Sequence, residues 1–431
     1  MKLFGKIQPL FRVGMARNIS LTMISFVFLA ASGVVINLFV VAARDSAALG
    51  VFNQAYSVYI VVSQFAVFGL HYSVMRNAAL HEHDSAELGR VIASAAAPAL
   101  ILGACAAAAV YFAQPLLERI FDSPQTGAAI SISTLGLALF PLNKVLIGFI
   151  NGLRHMAAFA ALQAVRYIVV AIVAVGVAFS TLPFEYALYC FVAAELLTAL
   201  GAFAYIASRR LCVWRLPDAE WVRRHFNFGA KSLAAGLFGE INTRIDVLML
   251  GVFLDDRAVG IYSFAALLLD GLFHVLAMIR VNYNPFLVSA LRDGRQEEAN
   301  DLLRKTRVRV PVAMFALSVL VIGAFVIFCT YILPGKDLIS GLASLVILLS
   351  SMTLVSGLVP YDNLMLVSGR PGYQTIQQMC AVLANVIGNF TFIPLLGIEG
   401  AALGTACGFF IGTLMLLWMS KRMLGWNLLA A

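Results

Sequence analysis

Nine ionisable side chains lie inside apolar stretches of this 431-residue chain: the cations Lys144, Arg166, Arg244 and Arg280, and the acids Glu195, Glu240, Asp246, Asp270 and Asp362. A charge at mid-bilayer costs about 2.5–3.5 kcal/mol on insertion scales, so each needs a partner, water or a task. Guanidinium forks and lysine ammoniums receive phosphate oxygens, which makes the four cations candidate substrate contacts. A carboxylate in such a setting can carry a proton or hold Na+, which makes the five acids candidate ion-coupling groups.

The densest group is Phe238–Leu250, FGEINTRIDVLML. On a helix Glu240 and Arg244 share a face four residues apart, while Asn242 and Asp246 form a second such pair turned by about 200°. Either the first pair neutralises itself as a structural element, or the segment lines a wet cavity between two halves of the molecule. His274 follows Asp270 by four residues, and Asp362 stands beside Pro360. Lys144, Arg166 and Arg280 fall towards the basic ends of their segments, which suits snorkelling to headgroups as well as phosphate reception.

The elements that position these groups are membrane spans. The chain is 61% hydrophobic and 12% charged, against about a quarter charged in soluble proteins. Apolar runs of about twenty residues, enough to cross the hydrocarbon, recur at roughly 18–42, 51–75, 91–113, 127–150, 158–180, 184–206, 231–254, 260–284, 310–333, 341–367, 373–394 and 398–420. The expected fold is an all-α polytopic membrane protein of about twelve transmembrane helices. The first run is too long for a signal-peptide core, so it is expected to remain in the mature protein.

Basic residues orient the spans, because Lys and Arg are retained in short cytoplasmic loops. With both termini inside, 22 of the 30 Lys and Arg fall on the cytoplasmic side, against Arg44, Arg119, Arg257 and Lys336 outside. The net charge of +8 is then a topology signal and an attraction to anionic headgroups, not a nucleic-acid surface. All six cysteines but Cys212 lie in apolar runs without metal spacing, as packing residues.

The segment Asp45–Phe52 (DSAALGVF) aligns without a gap on Asp255–Tyr262 (DDRAVGIY), 210 residues later, and Phe140–Leu146 (FPLNKVL) on Val359–Met365 (VPYDNLM). Two matches in the same order predict a parallel duplication, six spans per copy, around a central cavity. Pro141 and Pro360 stand at matching positions as kinks or hinges. The expected organisation is an interfacial N-terminal segment at 1–17, with Leu3, Phe4, Ile7, Leu10 and Phe11 on one face, a first bundle at 18–207 and a cytoplasmic linker at 208–230. A second bundle at 231–420 and a cytoplasmic tail at 421–431 complete it. The segment from Leu291 to Val310, rich in both signs, reads as a solvated connection.

Three stretches, ASGVVINLFVVAARDSAALGVFNQAYSVYIVVSQFAVFGLHYSVMR, IDVLMLGVFLDDRAVGIYSFAALL and NVIGNFTFIPLLGIEGAALGTACGFF, resemble the polysaccharide exporters of the multidrug/oligosaccharidyl-lipid/polysaccharide (MOP) superfamily, and the resemblance spans essentially the whole chain. It implies an O-antigen or exopolysaccharide flippase of the bacterial inner membrane. Such proteins move an undecaprenyl-pyrophosphate-linked oligosaccharide to the outer leaflet by alternating access. The implied partners are that lipid-linked oligosaccharide, membrane lipids, H+ or Na+, and other polysaccharide-assembly proteins. A cation-coupled multidrug exporter of the same superfamily is the alternative. A membrane-embedded enzyme is a weaker one, since the longest outside loop, about 112–126, is short for holding sugars. The sequence carries no P-loop, no HExxH and no triad spacing, and no cofactor, metal or nucleic acid is expected.

Overall fold

The computed structural model describes residues 31–430. The proposed interfacial segment at 1–17 and the beginning of the first span lie outside the described residues. Within them the elements are helices: α1 Ala31–Ala43, α2 Ser46–Val67, α3 Leu70–Leu80, α4 Ser85–Phe121, α5 Pro124–Gly152, α6 Met156–Ala178, α7 Tyr189–Ser208, α8 Ala219–Asn242, α9 Ile245–Phe253, α10 Asp256–Arg292, α11 Gln296–Ile327, α12 Leu342–Val355, α13 Leu364–Val367, α14 Pro371–Leu396 and α15 Ile398–Leu424. Among the described residues nine helical segments are long and apolar enough to cross a membrane, and α2 with α3 adds a tenth span bent by 51°. The protein is an all-α, multi-pass membrane protein.

Two compact units divide the chain, residues up to 44 with 58–237, and residues 45–57 with 238–431. In the first, Leu70, Val74, Leu88, Val91, Leu146, Phe149 and Ile206 form a buried core. The bend between α2 and α3 falls at Phe68 and Gly69, both with positive φ (48° and 68°). Gly229 of α8 fills the corner: a Cβ there would stand 2.2 Å from the Phe68 carbonyl oxygen, and a Cβ on Gly69 2.8 Å from that of Gly229.

The expected linker at 208–230 is not a free connection. Val213 donates to the Ser85 carbonyl at 2.8 Å, and α8 starts at Ala219 and packs into the first unit as far as Leu237. Trp221 and His225 are buried. His225 lies 2.8 Å from the Ser73 hydroxyl and 3.1 Å from the Val91 carbonyl. Burial of Trp221 and the two polar contacts of His225 hold this stretch on the first unit.

In the second unit the repeated motifs meet. Asp45 accepts from Ala48 N at 2.8 Å and Asp255 from Ala258 N at 2.9 Å, so each aspartate caps its helix in the same way. The helices cross at Gly50 and Gly260, where a Cβ on Gly50 would stand 1.8 Å from the Asp256 carbonyl oxygen and one on Gly260 1.7 Å from that of Ser46. Small residues at a crossing let backbones approach closely. Gln54 also donates to Asp256 at 2.6 Å and Ser46 to the Lys336 carbonyl at 2.8 Å. This contact is why residues 45–57 belong to the second unit.

The second matched pair diverges. Helix α5 runs unbroken through Pro141, whereas the expected span 341–367 ends its regular helix at Val355 and continues as a short 3-10 turn at Val359–Tyr361 and α13. The segment 291–310 is mostly α11, with Ala299, Leu303 and Thr306 buried. The expected tail packs too: α15 reaches Leu424, and Trp426 and Leu428 enter the second core beside Tyr361 and Met365.

Two measurements check this account. Gly260→Ala should lower the thermal unfolding midpoint in detergent by several degrees, despite the roughly 0.5–1 kcal/mol that alanine adds to a helix. Gly176→Ala, where a Cβ meets nothing within 4 Å, should leave it unchanged or raise it, and equal effects would refute the crossing. Burial pushes the His225 imidazole from 6.5 down to about 4. On acidification the unfolded chain therefore takes up the proton first, and stability falls from about pH 6.5 to about pH 4 and then levels. The His225→Gln variant should show a shallower loss across that window.

Candidate functional site

Glu195 on α7 is 1% exposed. Arg166 of α6 approaches its Oε1 at 2.6 Å, and the Tyr59 hydroxyl of α2 donates to the same oxygen at 3.1 Å. Asn143 of α5 donates through Nδ2 to Oε2 at 2.7 Å and to the Glu195 carbonyl at 2.7 Å. Phe140, one turn before Lys144, gathers the cations: the Arg166 guanidinium lies 4.8 Å and the Lys144 ammonium 5.4 Å from its ring centroid. Tyr59 meets that ring edge-on at 5.6 Å and stacks on Phe191 at 4.6 Å.

This cluster forms one wall of a cavity of about 190 Å³ in the first unit, to which Lys144, Arg166, Asn143, Gln163 and His71 contribute. Lys144, Arg166 and Glu195, widely separated in sequence, thus share one site. It contains two cations and one carboxylate, so it keeps net positive character even with Arg166 engaged. Such a cavity can receive an anionic group, with Lys144 as a point charge and Asn143 and Gln163 as neutral hydrogen-bonding groups.

The second unit holds a different arrangement. Helix α8 ends at Asn242, and the chain turns through Thr243 and Arg244 before α9 begins at Ile245. The break overturns the four-apart pairing of Glu240 with Arg244: Glu240 is exposed, and no ion pair joins the two among the described residues. Arg244 instead stands over the Tyr56 ring, 4.6 Å from its centroid. Asp246, in the first turn of α9, accepts from Asn389 Nδ2 at 2.7 Å through Oδ1. Its Oδ2 lies 2.7 Å from the Thr405 hydroxyl and accepts from Tyr262 at 3.2 Å. Asn385 supports Asn389, accepting from its Nδ2 at 2.8 Å. The partners of this carboxylate are neutral, and they come from α10, α14 and α15.

Asp270 and His274 face the surface of α10, and His274 reaches the Asp270 backbone carbonyl at 2.6 Å rather than the carboxylate. Arg280 lies 3.4 Å from Asp362, which also accepts from Gln377 at 2.5 Å. Two of the four candidate phosphate contacts, Arg166 and Arg280, are therefore already engaged with carboxylates. Sequence reasoning named none of Tyr59, Tyr262, Asn385, Asn389 and Thr405 as site residues. The four-residue spacing Asn385/Asn389 in an apolar helix was the available signal.

Residues 15–291 match the family model described as polysaccharide biosynthesis protein. The chain belongs to that family. Its fold is shared with a multidrug resistance MATE family transporter of the MOP superfamily in an inward-facing conformation, 13% identical over 92% of this chain and 95% of that one, TM-score 0.66. An inward closed lipid II flippase, MurJ, is 16% identical over 89% of this chain and 87% of its own, TM-score 0.67. A MOP superfamily transporter from Pyrococcus furiosus is 15% identical over 96% of each chain, TM-score 0.55, and its binding pocket is described as of reverse polarity. Identities this low establish a common fold and nothing finer. No curated protein matches the chain. This member of the family thus carries an ion-paired carboxylate in one unit and a carboxylate ringed by neutral donors in the other.

The Glu195 site gives a direct test. Removing one partner of a buried ion pair typically costs about 3–5 kcal/mol, whereas removing both can be near neutral. Arg166→Gln should sharply reduce membrane abundance, and Arg166→Gln with Glu195→Gln should recover it. A double variant as poorly accumulated as the single one would refute the pairing.

Proposed function

We propose that this polysaccharide biosynthesis protein is a flippase of the bacterial inner membrane, with both termini cytoplasmic. It carries an undecaprenyl-pyrophosphate-linked oligosaccharide from the cytoplasmic to the outer leaflet by alternating access, driven by an H+ or Na+ gradient. The observation that carries this reading is the family match on a chain whose fold is shared by a lipid II flippase. The chain acts as a transporter rather than an enzyme, and other polysaccharide-assembly proteins supply and consume its cargo.

The two sites support separate roles. The cavity with Lys144 and Arg166 suits the pyrophosphate, with Arg244 and Arg280 as further contacts along the route. Of the proposed coupling acids Glu195, Glu240, Asp246, Asp270 and Asp362, Asp246 is the best placed. Among the described residues its partners are neutral, so binding of H+ or Na+ would bring the site from one negative charge to none. Glu195 is already balanced by Arg166. A second reading, cation-coupled drug export, is favoured by the fold shared with a multidrug transporter and has the same ion requirement.

Two experiments test these proposals. Cysteines at Gln125 and Ser208, both exposed positions, should respectively react and fail to react with an impermeant thiol reagent added outside, after native cysteines are removed; the reverse pattern overturns the orientation. In vesicles loaded with lipid-linked oligosaccharide, Asp246→Asn should lower gradient-driven flipping at least roughly tenfold at unchanged abundance, and Lys144→Gln should weaken it while sparing ion dependence. Gradient-driven efflux of a cationic dye, without flipping of the oligosaccharide, would support the drug-export reading instead.

A further inference from the structure

Between α7 and α8 the chain runs from Arg209 to Asp218 without regular structure, yet it is tightly placed. The Leu211 amide closes α7 on the Ile206 carbonyl at 3.1 Å, and Val213 donates to the Ser85 carbonyl at 2.8 Å. Gly89 of α4 lies under this strap, where a Cβ would stand 1.7 Å from the Val213 carbonyl oxygen. Cys212 is buried, and the Ser94 hydroxyl accepts from the Asp218 amide at 2.8 Å.

The strap nevertheless presents large apolar groups outward. Trp214 is 48% and Leu216 87% exposed. The Trp214 ring packs on Phe203, centroids 5.8 Å apart, and Phe203 points outward from α7, part of one of the apolar membrane-crossing segments. Trp214 therefore continues the lipid-facing surface of that span to its end, the level at which tryptophan partitions into the membrane interface.

Beside it is a hollow of about 650 Å³ lined by Arg90, Trp214, Arg215, Leu216, Pro217 and Asp218. Its charges are unequally engaged. Arg90 pairs with Glu87 at 2.8 Å, and the Asp218 carboxylate accepts from the Trp221 amide at 3.0 Å, capping α8. Arg215 is exposed and has no ion-pair partner among the described residues. A guanidinium, an indole and an exposed leucine lining one hollow at the rim of a span are complementary to one ligand class: a phosphate headgroup attached to acyl chains. Guanidinium matches phosphate as a two-donor fork, and Trp214 and Leu216 are covered by the chains.

We propose that this hollow binds the headgroup phosphate of an anionic phospholipid, which holds the strap, and through it α8, against the membrane surface at the basic end of the first unit. The site is separate from the cavity at Glu195, and the proposal does not rest on the flippase reading.

The test uses the full chain purified in a neutral detergent and its thermal unfolding midpoint, since a ligand of the folded state raises the midpoint by mass action. The probes are phosphatidylglycerol, phosphatidylcholine and inorganic phosphate. Phosphatidylglycerol should raise the midpoint, while the other two should not. Arg90→Gln with Arg215→Gln should keep the lipid-free midpoint within a degree or two and weaken the apparent phosphatidylglycerol affinity by roughly tenfold or more. Lys421→Gln with Arg422→Gln, an equal charge change elsewhere, should retain the full response. An equal response to inorganic phosphate would make the ligand a free anion, and an equal response to phosphatidylcholine would make the effect nonspecific. An undiminished response of the Arg90/Arg215 variant, or an equal loss in the Lys421/Arg422 control, would place any lipid effect elsewhere. Should the Arg90/Arg215 variant fail to fold, Arg215→Gln alone, at an exposed side chain, carries the same comparison.

Discussion

A carboxylate removed from water must be compensated by the protein that encloses it, and Glu195 shows how far that requirement reaches. Its compensation comes from Tyr59, Asn143 and Arg166, residues of α2, α5 and α6, so one buried charge ties three helices to α7. Asp246 meets the same requirement with Tyr262, Asn389 and Thr405 and, among the described residues, without an ion pair. The difference is chemical. An ion-paired carboxylate has a cation already balancing it, whereas one held by neutral dipoles has none.

Close backbone approach is the second organising feature. Where two apolar helices cross in a membrane, little hydrophobic force holds them, and van der Waals contact between small residues carries more of the association. Gly50 and Gly260 meet in this way, each against the carbonyl four residues before the other's glycine. The aspartates five residues before them cap the same two helices. Gly69 and Gly229 do the equivalent at the bend in the first unit. The strap beyond α7 is approached as closely, with Gly89 beneath it.

Membership of the polysaccharide biosynthesis family and the fold shared with transporters of the MOP superfamily accord with the proposed division of labour. A positively biased cavity and a neutralisable carboxylate lie in different compact units. A transporter that couples an anionic lipid-linked cargo to an ion has use for both, and neither requires a catalytic constellation.

The sequence by itself determined the all-α, multi-pass class and most of the approximate spans, because these depend on local quantities, and it suggested a duplication. Twenty apolar residues in a row are long enough to cross the bilayer whatever surrounds them, and the 210-residue offset between DSAALGVF and DDRAVGIY is visible in one dimension. It also picked out Lys144, Arg166, Glu195 and Asp246 as side chains needing an explanation. Only the tertiary structure decided which charge meets which. The Glu240–Arg244 spacing assumed a continuous helix, and the turn at Thr243–Arg244 removed it. Arg166 and Glu195 are 29 residues apart and Asp246 and Thr405 159 apart, distances over which no helical periodicity carries information. The matched Pro141 and Pro360 also parted company, one inside an unbroken helix and one in a 3-10 turn. A proline removes one backbone donor in either case, and it is the packing around it that determines whether the helix continues.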